Sequence, residues 1–170
     1  MSPHLPLACR AMGPGLAVVL LSIVAFVADQ AGTPALVNES SSLPRGLYLK
    51  QPGAQPHAGS IVAVAQPAAA RTYLGALGMP ADIRLIKRVA AASGDTVCRR
   101  GRVLHTPGRS VRVLDRDGRG SALSSWNGCR PMGPGEVFLL GDTAASFDSR
   151  YFGPVSSDAL DGVYRGVLTW

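Results

Sequence analysis

The sequence predicts a mostly β domain behind one N-terminal hydrophobic segment. Its 170 residues include 20 Gly and 13 Pro, which disfavour long helices and are typical of a turn-rich β protein. Short apolar runs recur after Gly46, and tight-turn dipeptides such as Asp117-Gly118 separate some of them. Residues 11–28 carry no charge and reach the lower length limit for crossing a bilayer.

The composition indicates one globular domain that can bury a core. Hydrophobic residues make up 46% of the chain and charged residues 16%, with a formal net charge of +6. The arginines of segment 99–119 alternate with Val, Leu and Asp, as on solvated strand faces, and no aromatic series accompanies them. We therefore predict no nucleic-acid partner.

The hydrophobic segment has three possible interpretations: an uncleaved anchor, a cleaved signal peptide or a buried core helix. Cleavage after Ala28 would put the bulky Phe26 where a small residue is required, which favours an anchor over 11–28. Residues 1–10 contain Arg10 and no acid, so the positive-inside rule places them in the cytoplasm. The remainder of the chain is then exported.

The exported part is predicted to contain a short connection followed by strands. Residues 29–41 form a polar, small-residue linker, and 42–170 form the domain. Within it, 67–82 is a loop or a short helix and 121–135 is a loop. The predicted strands and hairpins lie, in order, at 47–49, 60–65, 83–90, 96–120, Glu136–Leu140 and 162–168.

The chain has three cysteines, and two of them fall in the exported part. Cys98 and Cys129 can form a disulfide there or remain two separate buried thiols. Neither belongs to a CxxC motif, and His105 alone cannot complete a zinc site. No metal site and no cofactor are predicted.

Lys87 is the most informative charged residue. In the predicted strand 83–90 it shares one face with the apolar residues Ile83, Leu85 and Val89, while Arg84, Ile86 and Arg88 take the opposite, solvent-facing parity. Burial disfavours an ammonium group, so such a lysine tends to become a neutral general base. Alternatively its side chain reaches solvent from the edge of the core.

Three hydroxyl side chains, Ser40, Ser41 and Ser42, precede a turn formed by Pro44 and Gly46. Such a composition is common in flexible linkers. It is also compatible with a serine held rigidly at a turn, where a base could activate it as a nucleophile.

These features together resemble the type I signal peptidases, which are Ser/Lys endopeptidases, and in particular their conjugative-transfer, TraF-type branch. The resemblance implies a signal-peptidase-like antiparallel β domain behind one transmembrane helix. The motifs that carry it are SLPRGLY from Ser42, IKRV from Ile86 followed by GDTV from Gly94, and GD from Gly141 followed by SFDSRYFG from Ser146.

The motifs also depart from those of the housekeeping signal peptidases. Leu43 stands where these usually carry Met, and Thr-Ala-Ala at 143–145 replaces their Asn, Arg and Asp. The large insertion of the bacterial housekeeping enzymes is absent. These differences do not affect the motifs that contain Ser42 and Lys87. They argue against carrying over the specificity of the housekeeping enzymes for preproteins in general.

The resemblance implies a role for each residue of the site. Ser42 is the nucleophile and Lys87 its base, Ser40 and the Ser42 amide bind the oxyanion, and Ser146 orients the lysine. Asp148 is either a third catalytic residue or only the structural partner of Arg150. A second structural ion pair is expected between Asp142 and Arg88.

The implied substrate is an exported precursor with small residues at the first and third positions before the cut, such as a conjugative pilin. The implied location is the bacterial inner membrane, with the catalytic domain in the periplasm. One alternative is a non-catalytic, membrane-anchored assembly factor of a secretion or pilus machine. A self-cleaving repressor would need a DNA-binding helix pair where 11–28 lies.

Overall fold

The computed structural model describes residues 18–19, which are helical, and 34–170. Within these ranges no helix has the length and apolarity needed to cross a membrane. The predicted cytoplasmic tail, 1–10, lies outside the described residues, as does the predicted anchor, 11–28, apart from its two helical residues.

Residues 34–170 form two antiparallel sheets. The larger sheet contains β1 (Ala35–Asn38), β2 (Gly46–Lys50), β3 (Ile61–Val64), β4 (Leu85–Ala91), β9 (Glu136–Leu140), β10 (Val155–Ser156) and β11 (Leu160–Thr169). Its strand order is β1-β2-β11-β3-β4-β9-β10. The smaller sheet contains β5 (Thr96–Arg100), β6 (Val103–His105), β7 (Ser110–Arg112) and β8 (Cys129–Pro131), in the order β7-β6-β5-β8. The helices are α1 (Ala68–Ala76), α2 (Ser149–Phe152) and a 3-10 turn at Ser157–Ala159.

The mostly β prediction is confirmed, and three strands were missed: β1, β8 and the two-residue β10, which lies between the predicted strands at 136–140 and 162–168. β1 lies within 29–41, which the sequence predicts as a linker, and β8 lies within the predicted loop 121–135. β1 and β8 each pair with a single neighbour, β1 with β2 and β8 with β5. Edge strands bury few apolar side chains, and all three residues of β8 are exposed, so neither strand shows a clear hydrophobic pattern.

Three apolar clusters cover the larger sheet on both faces. The first joins β3, β4 and β9 to α1 through Ala70 and Leu74. The second packs Phe138 and Leu140 of β9 against the smaller sheet, and the third places Leu43 of the β1–β2 loop over β2, β3 and β11. The centre of the sheet is therefore closed to solvent.

β4 departs from the predicted two-faced pattern. Ile83 precedes the strand and is 47% exposed, whereas Ile86, assigned to the solvent-facing parity, is buried. β4 is a central strand between β3 and β9, and the third cluster covers its second face. Lys87 is buried between Leu85 and Val89 of the first cluster, on the apolar face that the alternation predicts.

Candidate active site

The β1–β2 loop, residues 39–45, holds Ser42 at the end of a strand hairpin. Ser42 is buried, and its carbonyl accepts a 2.6 Å hydrogen bond from the Asp142 amide. The Tyr48 hydroxyl donates a 2.6 Å hydrogen bond to the Pro44 carbonyl. Because partners outside the loop fix its backbone on both sides of Leu43, Ser42 is held rigidly rather than in a flexible linker.

Gly46 closes this loop in a conformation that requires glycine. Its φ is +155°, and a Cβ placed there would lie 2.1 Å from the Leu168 carbonyl oxygen of β11. The close approach of two backbones therefore explains the glycine at position 46.

The structure brings Lys87 and Ser42 together from 45 residues apart. Lys87 Nζ lies 2.9 Å from Ser42 Oγ, and each side chain is only 5% exposed. A neutral amine at this distance can accept the hydroxyl proton directly.

Burial lowers the pKa of Lys87 from 10.5 to about 8. Desolvation of the ammonium is the main cause; the charge of Asp148 opposes it and that of Arg150 adds to it. A substantial fraction of Lys87 is therefore neutral slightly above neutral pH, unlike an exposed lysine.

Ser40 lies beside the serine–lysine pair. Its Oγ is 2.8 Å from Ser42 Oγ and donates a 2.7 Å hydrogen bond to Asn38 Oδ1. The sequence pattern does not single out Asn38, because it lies in the segment predicted as a linker. An asparagine two residues before a serine is a weak local signal on its own.

Ser146 lines the same groove as Ser42 and Lys87, but the expected contact with the lysine is not formed. Within 34–170 the buried Ser146 Oγ has no hydrogen-bond partner. The hydroxyl lies against Gly141, where an added Cβ would be 2.0 Å from it and 2.9 Å from the Ser42 carbonyl oxygen. Gly141 thus provides the space in which Ser146 approaches the serine loop.

Asp148 and Arg150 form a buried ion pair, with Nε and Nη2 each 2.8 Å from a carboxylate oxygen. Asp148 also accepts hydrogen bonds from the amides of Gly141 and Arg150. None of these bonds involves Lys87. The guanidinium nitrogens Nη1 and Nη2 also share their remaining three hydrogens among the carbonyls of Arg112, Thr143, Ala144 and Ser146.

This arrangement supports a structural role for Asp148, because four hydrogen bonds already satisfy its two oxygens. The pair ties the segment between β9 and α2 to itself and to β7. It thereby fixes the position of Gly141, against which the serine loop packs.

Arg88 and Asp142 form the second expected ion pair, with Nη2 and Oδ2 2.9 Å apart. Both side chains are partly exposed, so the pair contributes little energy by itself. Arg109, from the β6–β7 turn, donates a 2.7 Å hydrogen bond to the Gly141 carbonyl. This contact between the smaller sheet and the site was not predicted from the sequence, since only the tertiary structure brings Arg109 and Gly141 together.

A groove of about 760 Å³ opens onto Ser42 and Lys87. The β1–β2 hairpin forms one wall, and the end of α1 and the start of β4 form the other. Its apolar lining includes Leu36, Leu74, Leu77, Met79, Ile83 and Phe147. A groove of this shape and polarity suits an extended peptide better than a small polar molecule.

The predicted disulfide between Cys98 and Cys129 is confirmed, and it joins β5 to β8 in the smaller sheet. Among the described residues there is no cluster of three or more His, Cys, Asp or Glu side chains suited to a metal ion.

Comparison with known proteins links these features to one family. The family model described as signal peptidase, peptidase S26, matches residues 9–170. A plasmid transfer protein TraF from Escherichia coli is 34% identical over 173 residues, which cover 94% of each chain. A second Escherichia coli plasmid transfer protein TraF is 31% identical over 169 residues and 92% of each chain. A crystal structure of a signal peptidase I from Enterococcus faecalis V583 aligns with a TM-score of 0.39 and 23% identity, covering 65% of this chain and 97% of that one.

Proposed function

Because the chain belongs to the signal peptidase family, peptidase S26, we propose that it is a serine endopeptidase that cleaves an exported precursor with Ser42 and Lys87. The observation that carries the proposal is the 2.9 Å contact between Lys87 Nζ and Ser42 Oγ at the end of a peptide-sized groove. Both groups are buried, so the amine loses its proton more readily than in water.

The reaction begins when neutral Lys87 accepts the proton of Ser42 Oγ, which attacks the scissile carbonyl carbon. The Ser40 hydroxyl and the Ser42 amide stabilise the oxyanion. The Lys87 ammonium then returns the proton to the leaving amine as the carbon–nitrogen bond breaks, which leaves an ester on Ser42. Water or an amine completes the cycle by attacking this ester.

The precursor is proposed to be a conjugative pilin or a related transfer protein, since two relatives at 34% and 31% identity are plasmid transfer proteins. It would enter the groove as an extended strand, with small residues at the first and third positions before the cut.

We further propose that residues 11–28 anchor the enzyme in the bacterial inner membrane, with 1–10 in the cytoplasm and 42–170 in the periplasm. The uncharged run and the single Arg10 before it support this topology. Reporter enzymes fused after Trp170 test it: an alkaline phosphatase fusion should be active and a cytoplasmic reporter inactive, and the reverse pattern would contradict the anchor.

The test of the function is cleavage of candidate precursors by the detergent-solubilised, full-length protein. We expect a single cut, identified by mass spectrometry, that the Ser42→Ala protein does not make. If neither protein cleaves any precursor encoded alongside it, while the wild type still supports transfer in cells, the non-catalytic assembly factor is the better description.

A further inference from the structure

Asn38 is a buried polar residue at the end of β1, four residues before Ser42, and only 4% of it is exposed. An asparagine side chain carries two N–H hydrogens and one acceptor oxygen, and burial is unfavourable unless these find partners. At Asn38 every partner belongs to the loop that holds Ser42.

The nitrogen of the amide binds the loop at three carbonyl groups. Asn38 Nδ2 lies 3.1, 3.0 and 3.0 Å from the carbonyl oxygens of Ser40, Leu43 and Pro44, so its two hydrogens are shared among three acceptors. Carbonyl groups cannot donate, so these contacts determine which end of the amide is nitrogen. One side chain thereby holds the backbone on both sides of Ser42.

The oxygen of the amide binds Ser40 twice. Asn38 Oδ1 accepts hydrogen bonds from the Ser40 amide at 3.2 Å and from the Ser40 hydroxyl at 2.7 Å. A hydroxyl has one hydrogen, so Ser40 Oγ can only accept in its 2.8 Å contact with Ser42 Oγ. With Lys87 protonated, the Ser42 proton therefore points to Ser40 and Lys87 donates to Ser42; the reaction begins only when neutral Lys87 accepts that proton instead.

We propose that Asn38 is a positioning residue that holds the Ser40 hydroxyl beside the nucleophile and accepts its hydrogen in the free enzyme. The inference rests on the proposed function of Ser42 and Lys87. Asn38 keeps Ser40 Oγ 2.8 Å from Ser42 Oγ, beside the carbonyl group that Ser42 attacks, and the Ser40 hydrogen turns from Asn38 to the substrate oxygen as the oxyanion forms. The side-chain hydrogen bonds of Asn38 go to Ser40, Leu43 and Pro44 and not to Ser42 Oγ or Lys87 Nζ, so it acts through Ser40.

A purely structural amide would affect stability without affecting turnover, and the chain provides a matched control. Gln66 is also a buried amide, and its Nε2 donates to the carbonyls of Pro80 and Ile83 at 2.7 and 3.1 Å. Gln66 makes no hydrogen bond to Ser40, Ser42 or Lys87. The Gln66→Ala variant therefore measures the effect of losing a buried amide that does not hold the serine loop.

The experiment uses the full-length protein in detergent and a quenched fluorescent peptide with Ala at the first and third positions before the cut. For Asn38→Ala we expect kcat to fall about 10–100-fold and KM to stay within about twofold, because one oxyanion donor loses its support. Gln66→Ala should keep kcat within about twofold, with a comparable decrease in Tm.

The dependence on Ser40 is tested by a double variant. If Asn38 acts through Ser40, Asn38→Ala/Ser40→Ala should turn over no more than about threefold slower than Ser40→Ala alone. If the double substitution instead lowers kcat by the product of the two single effects, Asn38 does not act through Ser40. If Asn38→Ala does not fold, Asn38→Thr keeps one hydroxyl near Ser40 and enters the same comparison.

The outcomes separate the two proposals. Wild-type protein that is inactive, or Ser42→Ala protein as active as wild type, would overturn the proposed function and this inference with it. An inactive Ser42→Ala protein beside an Asn38→Ala protein with wild-type kcat would overturn the role of Asn38 alone.

Discussion

Charged side chains are buried at the centre of the larger sheet but exposed in the smaller sheet. Around β4 and β9, Lys87, Asp148 and Arg150 are almost fully buried, and each is hydrogen-bonded. In the smaller sheet the charged side chains face solvent, and the Arg102–Asp115 pair is 64% and 52% exposed. In the first region burial itself shifts a pKa toward the neutral form, as the lowered pKa of Lys87 shows.

The net positive charge, in contrast, is concentrated in the segment that contains the smaller sheet. Segment 96–131 contains eight Arg and two Asp, which gives +6, the formal charge of the whole chain. The rest of the chain is therefore balanced. Net charge locates the solvated arginines, whereas burial locates the proposed chemistry, so the basic composition says little about function.

The two regions are nevertheless connected. The second cluster packs β9 against the smaller sheet, and Arg109 reaches from the β6–β7 turn to the Gly141 carbonyl. The smaller sheet therefore supports the loop beside Ser42 without contributing a group to the serine–lysine pair. The comparison predicts that changes at the centre of the larger sheet alter activity or stability strongly, whereas changes in the smaller sheet leave activity nearly unchanged.

The largest expected effect is on catalysis by the buried pair. Ser42→Ala and Lys87→Arg should each reduce kcat by at least about 10³-fold, since the first removes the nucleophile and the second keeps a charge that cannot serve as a base. Initial rates on the fluorescent peptide, with circular dichroism to verify folding, measure this.

Ser41 provides the control for this pair. Ser41 adjoins Ser42 but is exposed, so Ser41→Ala should keep most of the activity. Near wild-type cleavage by Lys87→Arg, or an inactive Ser41→Ala beside an active Ser42→Ala, would show that nucleophile and base are wrongly assigned.

A second contrast concerns stability. Arg150→Met should decrease the free energy of unfolding by about 3–5 kcal/mol, because it leaves the buried Asp148 carboxylate without its partner. Arg102→Ala should change it by less than about 1 kcal/mol, since the Arg102–Asp115 pair is exposed.

Urea unfolding of the two variants, followed by tryptophan fluorescence, measures the difference. Equal losses would mean that burial does not distinguish the two ion pairs, and the contrast between the regions would fail.

The third prediction concerns the disulfide of the smaller sheet. Its cysteines are 31 residues apart, so Cys98→Ser/Cys129→Ser should lose about 3–4 kcal/mol on the loop-entropy model. We expect kcat at 20 °C to change by less than about threefold, because β8 contributes no residue to the serine–lysine pair. A loss of activity without loss of stability would place the smaller sheet in the catalytic machinery.

The sequence was most informative where one strand carries its own pattern. The alternation around Lys87 predicts a buried lysine because every second neighbour is apolar, and the structure places it so. The same alternation predicts the wrong exposure for Ile83 and Ile86. The second face of β4 is buried by Leu43 and Tyr48, which lie about 40 residues earlier in the chain.

The serine loop shows the limit of local patterns. Ser40, Ser42, Pro44 and Gly46 were recognisable by type, but their composition equally suits a flexible linker. The backbone contact with Leu168 and the amide bonds of Asn38 give the loop its shape. Both depend on pairing between distant or edge strands, which a single sequence does not encode as periodicity.

The smallest expected effect is the pH dependence, and it tests the comparison most directly. The pKa of Lys87 in the folded protein is about 8, so the lysine is protonated below this pH and neutral above it. Only the neutral amine accepts the Ser42 proton, so kcat/KM should rise with pH, by about tenfold between pH 7 and pH 9 for a single ionisation. Arg100→Gln removes an exposed charge from the smaller sheet and should leave the midpoint within about 0.3 units, because solvent screens exposed charges. Rates on the fluorescent peptide from pH 6 to pH 10 give both midpoints. A rate that falls with rising pH, or a midpoint near that of an exposed lysine at about 10.4, would mean that burial does not activate Lys87. A large shift in Arg100→Gln would instead show that the solvated arginines of the smaller sheet tune the site, and the separation between the two regions would no longer hold.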